Sequence, residues 1–273
     1  MKVLVRALAA TALVVTMLLP AAPGASAAPG WAAAGKATIH PGVQTRTAGA
    51  QCTANFVFRG GGAVYLGQAA HCSGTGDATE TDGCTSKSLP LGTKVDVGGV
   101  ATGTMVYNSW ITMQKRGEKN PNRCAYNDLA LIKLPPSAVA KVNPSVPFWG
   151  GPTGLGGATT AGAKVYSYGN SELRGGVTQL SPKQGKSVGD DGNGWSHTVY
   201  TVTPGIPGDS GSAFLDASGN ALGVLSTVAI APLAGSNGVG DVAKELAYAN
   251  STGGFGVTLA QGTEAFTGPL LPI

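Results

Sequence analysis

The chain has 273 residues, 43 of them glycine and 17 proline; 42% are hydrophobic and only 12% charged, about half the usual charged share. That is enough apolar material for one large or two small domains and too much for a disordered chain. Many glycines with few charges fit a turn-rich all-β protein better than a helical one. The net charge of +4 is small and scattered, with no Lys/Arg cluster interleaved with aromatics, which argues against a nucleic-acid partner.

The N-terminus reads as an export signal. Lys2 and Arg6 give a positive start, residues 7–19 are apolar, and Ala25-Ser26-Ala27 forms a small-residue cleavage site. Thirteen apolar residues are too few to span a bilayer. Residues 1–27 are therefore set aside, leaving an exported chain with no membrane contact expected. Residues 28–50, rich in Ala, Gly and Thr, read as an arm or a short pro-segment.

From Cys52 the pattern is strands and turns. Residues 54–58 and 63–68 are apolar runs separated by Arg59-Gly60-Gly61-Gly62, a hairpin signature. Residues 94–97 and 100–110 continue as strands. Polar, charged residues 114–123 read as a surface loop, and residues 129–134 as a buried strand closed by Pro135-Pro136. Residues 150–162, rich in Gly, Thr, Ala and Pro, read as a linker. Gly185-Lys186-Ser187 ends like a phosphate loop, but Leu180 stands where its first glycine belongs. Residues 164–168, 176–180, 196–202, 212–215 and 221–228 form a second set of strands. Val242, Leu246 and Ala249 then fall at helical spacing, followed by an apolar segment at 255–260.

Three stretches carry chemistry. In Pro207-Gly208-Asp209-Ser210-Gly211-Ser212-Ala213, glycines on both sides of Asp209-Ser210 permit a tight turn that presents a hydroxyl and aims backbone N–H groups at one point. A plain surface turn uses the same residues. Upstream, Ala69-Ala70-His71-Cys72 sets a histidine beside a cysteine, and Asn127-Asp128-Leu129-Ala130-Leu131-Ile132 sets an acid at the head of an apolar strand. Serine needs a base to take its proton, imidazole titrates near neutrality, and an acid fixes its tautomer. The other two histidines, His40 and His197, lack such flanks and read as structural.

In this order and with these flanks the chain resembles the chymotrypsin-like (trypsin-like) serine proteases, especially secreted bacterial members, over roughly residues 50–265. The resemblance implies an all-β protein of two six-stranded antiparallel β-barrels with a C-terminal helix. The first barrel would span residues 51–150, a linker 151–162, and the second barrel, helix and tail 163–273. It implies a monomeric endopeptidase acting on protein or peptide substrates, with no cofactor and no metal. His71, Asp128 and Ser210 would be catalytic, and Gly208 and Ser210 would supply the oxyanion-hole donors. Ser226 matches the serine of the strand that pairs with substrate; Pro204, Ser226, Thr227 and Val228 would line an uncharged primary pocket, which Asp241 could alter. Four cysteines allow three pairings; the resemblance selects Cys52–Cys72, leaving Cys84–Cys124. Two alternatives remain: an inactive binding protein of the same fold, or an exported esterase using the same residues. The chain also departs from the family pattern. Ser212-Ala213 replaces the usual Gly-Pro, and the basic residue before Ile-Val-Gly-Gly that marks zymogen cleavage is absent. Asp209 therefore needs a partner from within the chain, with Arg46, Arg59 and Arg174 as candidates.

Overall fold

The computed structural model describes residues 30–77, 79–229 and 233–268, so the signal segment expected at 1–27 lies outside the described residues. The first half contributes β1 (Gln44–Thr47), β2 (Ala50–Thr53), β3 (Val57–Gly60), β4 (Ala63–Ala69), β5 (Lys94–Val97), β6 (Ala101–Asn108) and β7 (Leu129–Lys133), with helices α1 (Ser109–Arg116) and α2 (Pro121–Tyr126) between the last two strands. The second half contributes β8 (Lys164–Tyr168), β9 (Pro182–Asp191), β10 (Ser196–Thr201), β11 (Ala213–Leu215), β12 (Ala221–Val228) and β13 (Asn237–Asp241). Helix α3 (Val242–Gly253) and β14 (Thr258–Leu259) follow.

Strands β8–β13 close into a six-stranded barrel in the order β10-β13-β12-β11-β8-β9. Val165, Val199, Phe214, Leu222, Leu225 and Val239 form one buried cluster drawn from its strands. The first half differs from the expected second barrel. It is an eight-stranded sheet in the order β14-β3-β4-β7-β6-β5-β1-β2, whose ladder does not close. β2 is one end of the sheet and β3 lies next to the other; they are consecutive in the chain, separated only by Ala54-Asn55-Phe56, yet no ladder pairs them. There the Thr53 N–H donates to the Ser210 carbonyl and the Ala54 N–H to Val43, instead of to a neighbouring strand.

Local chemistry explains most elements. Gly60 pairs with Ala63 across the β3–β4 hairpin, and its two loop residues, Gly61 and Gly62, take φ of 56° and 74°. The segment expected to run from strand into loop at 100–123 is partly helical. The Asn108 side chain accepts from the N–H groups of Trp110 and Ile111 to start α1, and Gly117, left-handed at φ 62°, ends it. Asn120 caps α2 in the same way, with Pro121 in its first turn. Residues 176–180, expected as a strand, hold a short 3₁₀ turn, and the strand comes later as β9. The apolar tail supplies β14, which pairs with β3 in the first sheet. The Asn250 amide that heads Asn250-Ser251-Thr252 donates to the Val257 carbonyl, tying α3 to that tail.

Candidate active site

His71 sits in a 3₁₀ turn, Ala70–Ser73, that ends β4. Three contacts fix this turn. The Cys52–Cys72 disulfide ties it to β2, the Ala70 N–H donates to the Asp128 carbonyl, and the Trp110 ring of α1 lies 6.4 Å from the imidazole. Cys84 pairs with Cys124, so the pairing the resemblance selects and the one it leaves are both formed. Asp128 immediately precedes β7 and is 2% exposed. Its Oδ1 accepts the His71 backbone N–H at 2.9 Å; its Oδ2 accepts His71 Nδ1–H at 2.7 Å and the Ser226 hydroxyl at 2.6 Å. Burial pulls the imidazole down, but the Asp128 charge and hydrogen bond outweigh it, so the ring titrates above its ordinary 6.5.

The Ser210 loop is seated against both sheets. Gly208 and Gly211 take φ of 93° and 88°, a region closed to most other residues. The Ser210 carbonyl accepts from Thr53 N–H at 2.8 Å, and the Gly208 carbonyl from the Thr53 hydroxyl at 2.7 Å. A side chain at Gly211 would collide with the Thr53 carbonyl and lie 3.0 Å from Ala69 N, two residues before His71. Gly211 N–H donates to Leu225, the neighbour of Ser226, which itself reaches Asp128. The three motifs, far apart in sequence, thus converge. Within the loop the Asp209, Gly211 and Ser212 N–H groups all have protein acceptors, whereas those of Gly208 and Ser210 have none among the described residues. Ser210 Oγ makes no hydrogen bond to His71 among the described residues, whose ring bond goes to Asp128; such contacts commonly tighten only when substrate binds.

Asp209 is fully buried and receives two cations. Arg174 and Lys183 both reach its Oδ2, the latter at 2.7 Å, while the Ser171 and Ile206 N–H groups add hydrogen bonds at 3.1 and 3.2 Å. Of the three candidate arginines, then, Arg174 is the partner; Arg46 pairs instead with Glu172. Lys183 was missed. It is 2% exposed on β9, and burial pulls its ammonium down, with Asp209 opposing and Arg174 adding to the fall. Had β9 been recognised as a strand, its alternation would have placed Lys183 and Ser187 on the buried face.

Pro204 is exposed, and its carbonyl accepts from Lys183 Nζ at 2.8 Å. Gly205 N–H donates to Asn237 Oδ1 at 2.9 Å, and Asn237 is fully buried. A side chain at Gly205 would meet Asn237 Oδ1 at 2.7 Å, Leu225 at 3.1 Å and Val228 at 3.2 Å. Ser226, Thr227 and Val228 end β12, where Val228 pairs with Asn237 and Thr227 with Gly238. Asp241 lies at the far end of β13, caps α3 through Lys244 N–H, and faces His197, so it does not serve the Pro204 wall. No sequence motif marks Asn237 or the buried Glu245, which accepts the Asp128 N–H.

The architecture matches solved proteins. Thermobifida fusca protease A superposes over 82% of this chain and 99% of its own, with TM-score 0.51 and 18% identity. A protease from M. tuberculosis in its active form covers 84% of this chain and 86% of its own, with TM-score 0.50 and 18% identity. The chain has the fold of the chymotrypsin-like bacterial serine proteases. No family model matches its sequence, and no curated protein does. At 18% identity the likeness is one of fold, and the chemistry rests on this chain's own residues. Among the described residues no helix is long and apolar enough to cross a membrane.

Proposed function

We propose that the protein is a secreted serine endopeptidase with His71, Asp128 and Ser210 as its catalytic residues. The observation that carries this reading is that an Asp-bound imidazole and a serine on a glycine turn lie on neighbouring, mutually bonded segments, with the Gly208 and Ser210 N–H groups finding no acceptor among the described residues. Ser210 Oγ attacks the scissile carbonyl carbon while His71 Nε2 takes its proton. The negative oxygen of the tetrahedral intermediate is held by the two free N–H groups. The C–N bond breaks, His71 returns the proton to the leaving amine, and water hydrolyses the acyl-enzyme by the same route. Asp128 keeps the Nδ1–H tautomer and stabilises the imidazolium. Arg174 and Lys183 hold Asp209, and so the turn, without a freed N-terminus. Export through residues 1–27 agrees with two disulfides, which persist in oxidising compartments. Residues 151–162 would divide the two halves.

The primary pocket would lie between Pro204-Gly205 and Ser226-Thr227-Val228. It carries no acidic wall, Asn237 fills the space beside Gly205, and Lys183 stands behind Pro204. An unpaired ammonium or guanidinium would be costly there, so small, uncharged residues before the scissile bond are the preferred substrates. A fluorophosphonate probe and a peptide library test the reading together. Labelling of the wild type, lost in Ser210→Ala, with peptide cleavage is expected. An unlabelled protein would be an inactive homologue, and turnover of short esters without peptide cleavage would make it an esterase.

A further inference from the structure

Behind Asp128, on the side away from His71, lies a second carboxyl group that the reaction above does not use. Glu245, in the first turn of α3, is fully buried. Its Oε1 accepts the Asp128 backbone N–H at 2.7 Å. The site is shaped around it: Gly240 leaves the space, and a side chain there would bring Cβ within 2.5 Å of Oε1. Glu245 completes the fixing of Asp128, whose carbonyl accepts from Ala70 and whose carboxylate is shared between His71 and Ser226. Every polar group of Asp128 is thus engaged, and among the described residues the main-chain donor is engaged by Glu245 alone.

We propose that Glu245 is a positioning residue of the Asp128–His71 pair, acting as an un-ionised acid that anchors the Asp128 main chain. The inference rests on the reading of Asp128–His71 as the catalytic base pair. Three features argue for the uncharged form. Glu245 Oε2 is buried without a partner among the described residues. The charged groups facing it are carboxylates, Asp128 before β7 and Asp241 at the end of β13, and no lysine or arginine hydrogen-bonds it among the described residues. The Tyr107 hydroxyl on β6, the other titratable group facing it, is buried and titrates well above its ordinary value, so it brings no positive charge to balance a carboxylate. Burial raises the Glu245 carboxyl well above its ordinary value; the Asp128 N–H hydrogen bond opposes this, and the Asp128 and Asp241 charges reinforce it. A neutral acid offers Asp128 an acceptor without placing a second negative charge behind the pair. Asp128 is then left to set the basicity of His71.

The test separates the acceptor from the charge. With only three histidines in the chain, the His71 ring can be followed by NMR titration whether or not the protein turns over. Glu245→Ala removes the acceptor and orphans the Asp128 N–H. Asp128 should then shift, and the His71 midpoint should fall by about one pH unit, since Asp128 is what raises it. Peptidase kcat should fall about tenfold with KM within about threefold. Glu245→Gln keeps an acceptor and no charge, and should restore both the midpoint and kcat. If Glu245→Ala does not fold, Gly240→Ala displaces Oε1 with Glu245 in place and should lower the midpoint likewise. A midpoint unmoved in Glu245→Ala or Gly240→Ala overturns the positioning role. A midpoint lowered as far in Glu245→Gln as in Glu245→Ala overturns the un-ionised form, because loss of a nearby negative charge would then be the cause. A wild type inert to peptides and probe would sink the endopeptidase reading while leaving the titration to decide on Glu245.

Discussion

The molecule contains two histidines held by aspartates, one in each half, and they differ in a way that would separate the proposed base from a staple. His71 Nδ1 is bound to Asp128 at 2.7 Å, its Nε2 meets no acid among the described residues, and its side chain is 25% exposed. His197, on β10, is fully buried. Its Nδ1 lies 2.7 Å from Asp190, and its Nε2 is 3.2 Å from Asp241, close enough for an ion pair though poorly aimed. Burial pulls the His197 ring down, but Asp241 and Asp190 more than reverse it, so it too titrates above 6.5. Charge alone therefore does not make a catalytic histidine, since both rings are raised. A general base needs one nitrogen without a carboxylate and a path to the reacting group. His197, with acids on both nitrogens and no exposure, instead ties β9, β10 and the start of α3 together.

The largest expected effects test this division directly. Ser210→Ala and His71→Ala should each lower kcat by several orders of magnitude while the proteins remain folded. His197→Gln should leave kcat within about threefold but lower unfolding free energy by about 3 kcal/mol, since two acids lose their shared cation. Turnover of a peptide substrate and urea denaturation of the same variants decide the matter. A folded His197→Gln as inactive as His71→Ala would break the comparison, and Ser210→Ala with more than about a tenth of wild-type turnover would remove Ser210 as nucleophile.

A second test uses the disulfides, which lie only in the half that carries His71, all four cysteines falling at or before residue 124. Cys52–Cys72 closes a 20-residue separation, worth about 3 kcal/mol in the chain-entropy model, and it fixes the His71 turn. Reduction should lower melting temperature and activity together. Hydrogen exchange should rise in β2–β4 before it rises in β10 and β13. The opposite order would show that the barrel, not the disulfide-tied sheet, is the weaker half.

The pH dependences should differ in kind. In the proposed reaction only neutral His71 accepts the serine proton, so kcat/KM should rise with pH through a midpoint above 6.5. His197 carries a raised folded value, so its contribution to stability is full below about pH 6.5, the unfolded value, and is lost as pH rises through the folded one. His197→Gln should therefore remove part of the alkaline fall in stability and leave the kcat/KM profile where it is. An activity optimum near pH 4, or a profile displaced by the His197 change, would contradict the assignment.

Much of the fold and of the candidate site is legible because their signals are local. The glycines around Ser210, the turn carrying His71 and the acid heading β7 each specify a conformation by themselves, and β5, β8 and β12 follow from plain alternation or buried runs. What was not legible depends on distant partners. The first sheet fails to close because Thr53 donates to Ser210, a pairing across more than half the chain. Lys183 and Glu245 look like ordinary surface charges until Asp209 and the Asp128 N–H are placed beside them. The helices at 109–126 were missed although their signals, Asn108 and Gly117 at the ends of α1 and Asn120-Pro121 at the start of α2, were present. The charged residues between those signals resembled a loop.

The smallest effect sharpens the comparison most finely. Each aspartate is steadied by a hydroxyl, Ser226 to Asp128 Oδ2 at 2.6 Å and Thr159 to Asp190 Oδ1 at 2.6 Å. Removing either deletes one hydrogen bond to a carboxylate, so the chemical change is nearly the same. In Ser226→Ala the loss falls on the acid that orients His71; kcat should fall about threefold to tenfold, with little change in melting temperature. In Thr159→Val it falls on a partly solvated acid that only balances His197. Water replaces much of what is lost, so stability should drop by about 1 kcal/mol, or about 2–4 °C in melting temperature, with kcat unchanged. Paired measurements of kcat and melting temperature on the two variants check this. If both changes register only in stability, Asp128 is no more than a second staple. If Thr159→Val lowers kcat, the His197 cluster is coupled to the chemistry and the two halves are not separable.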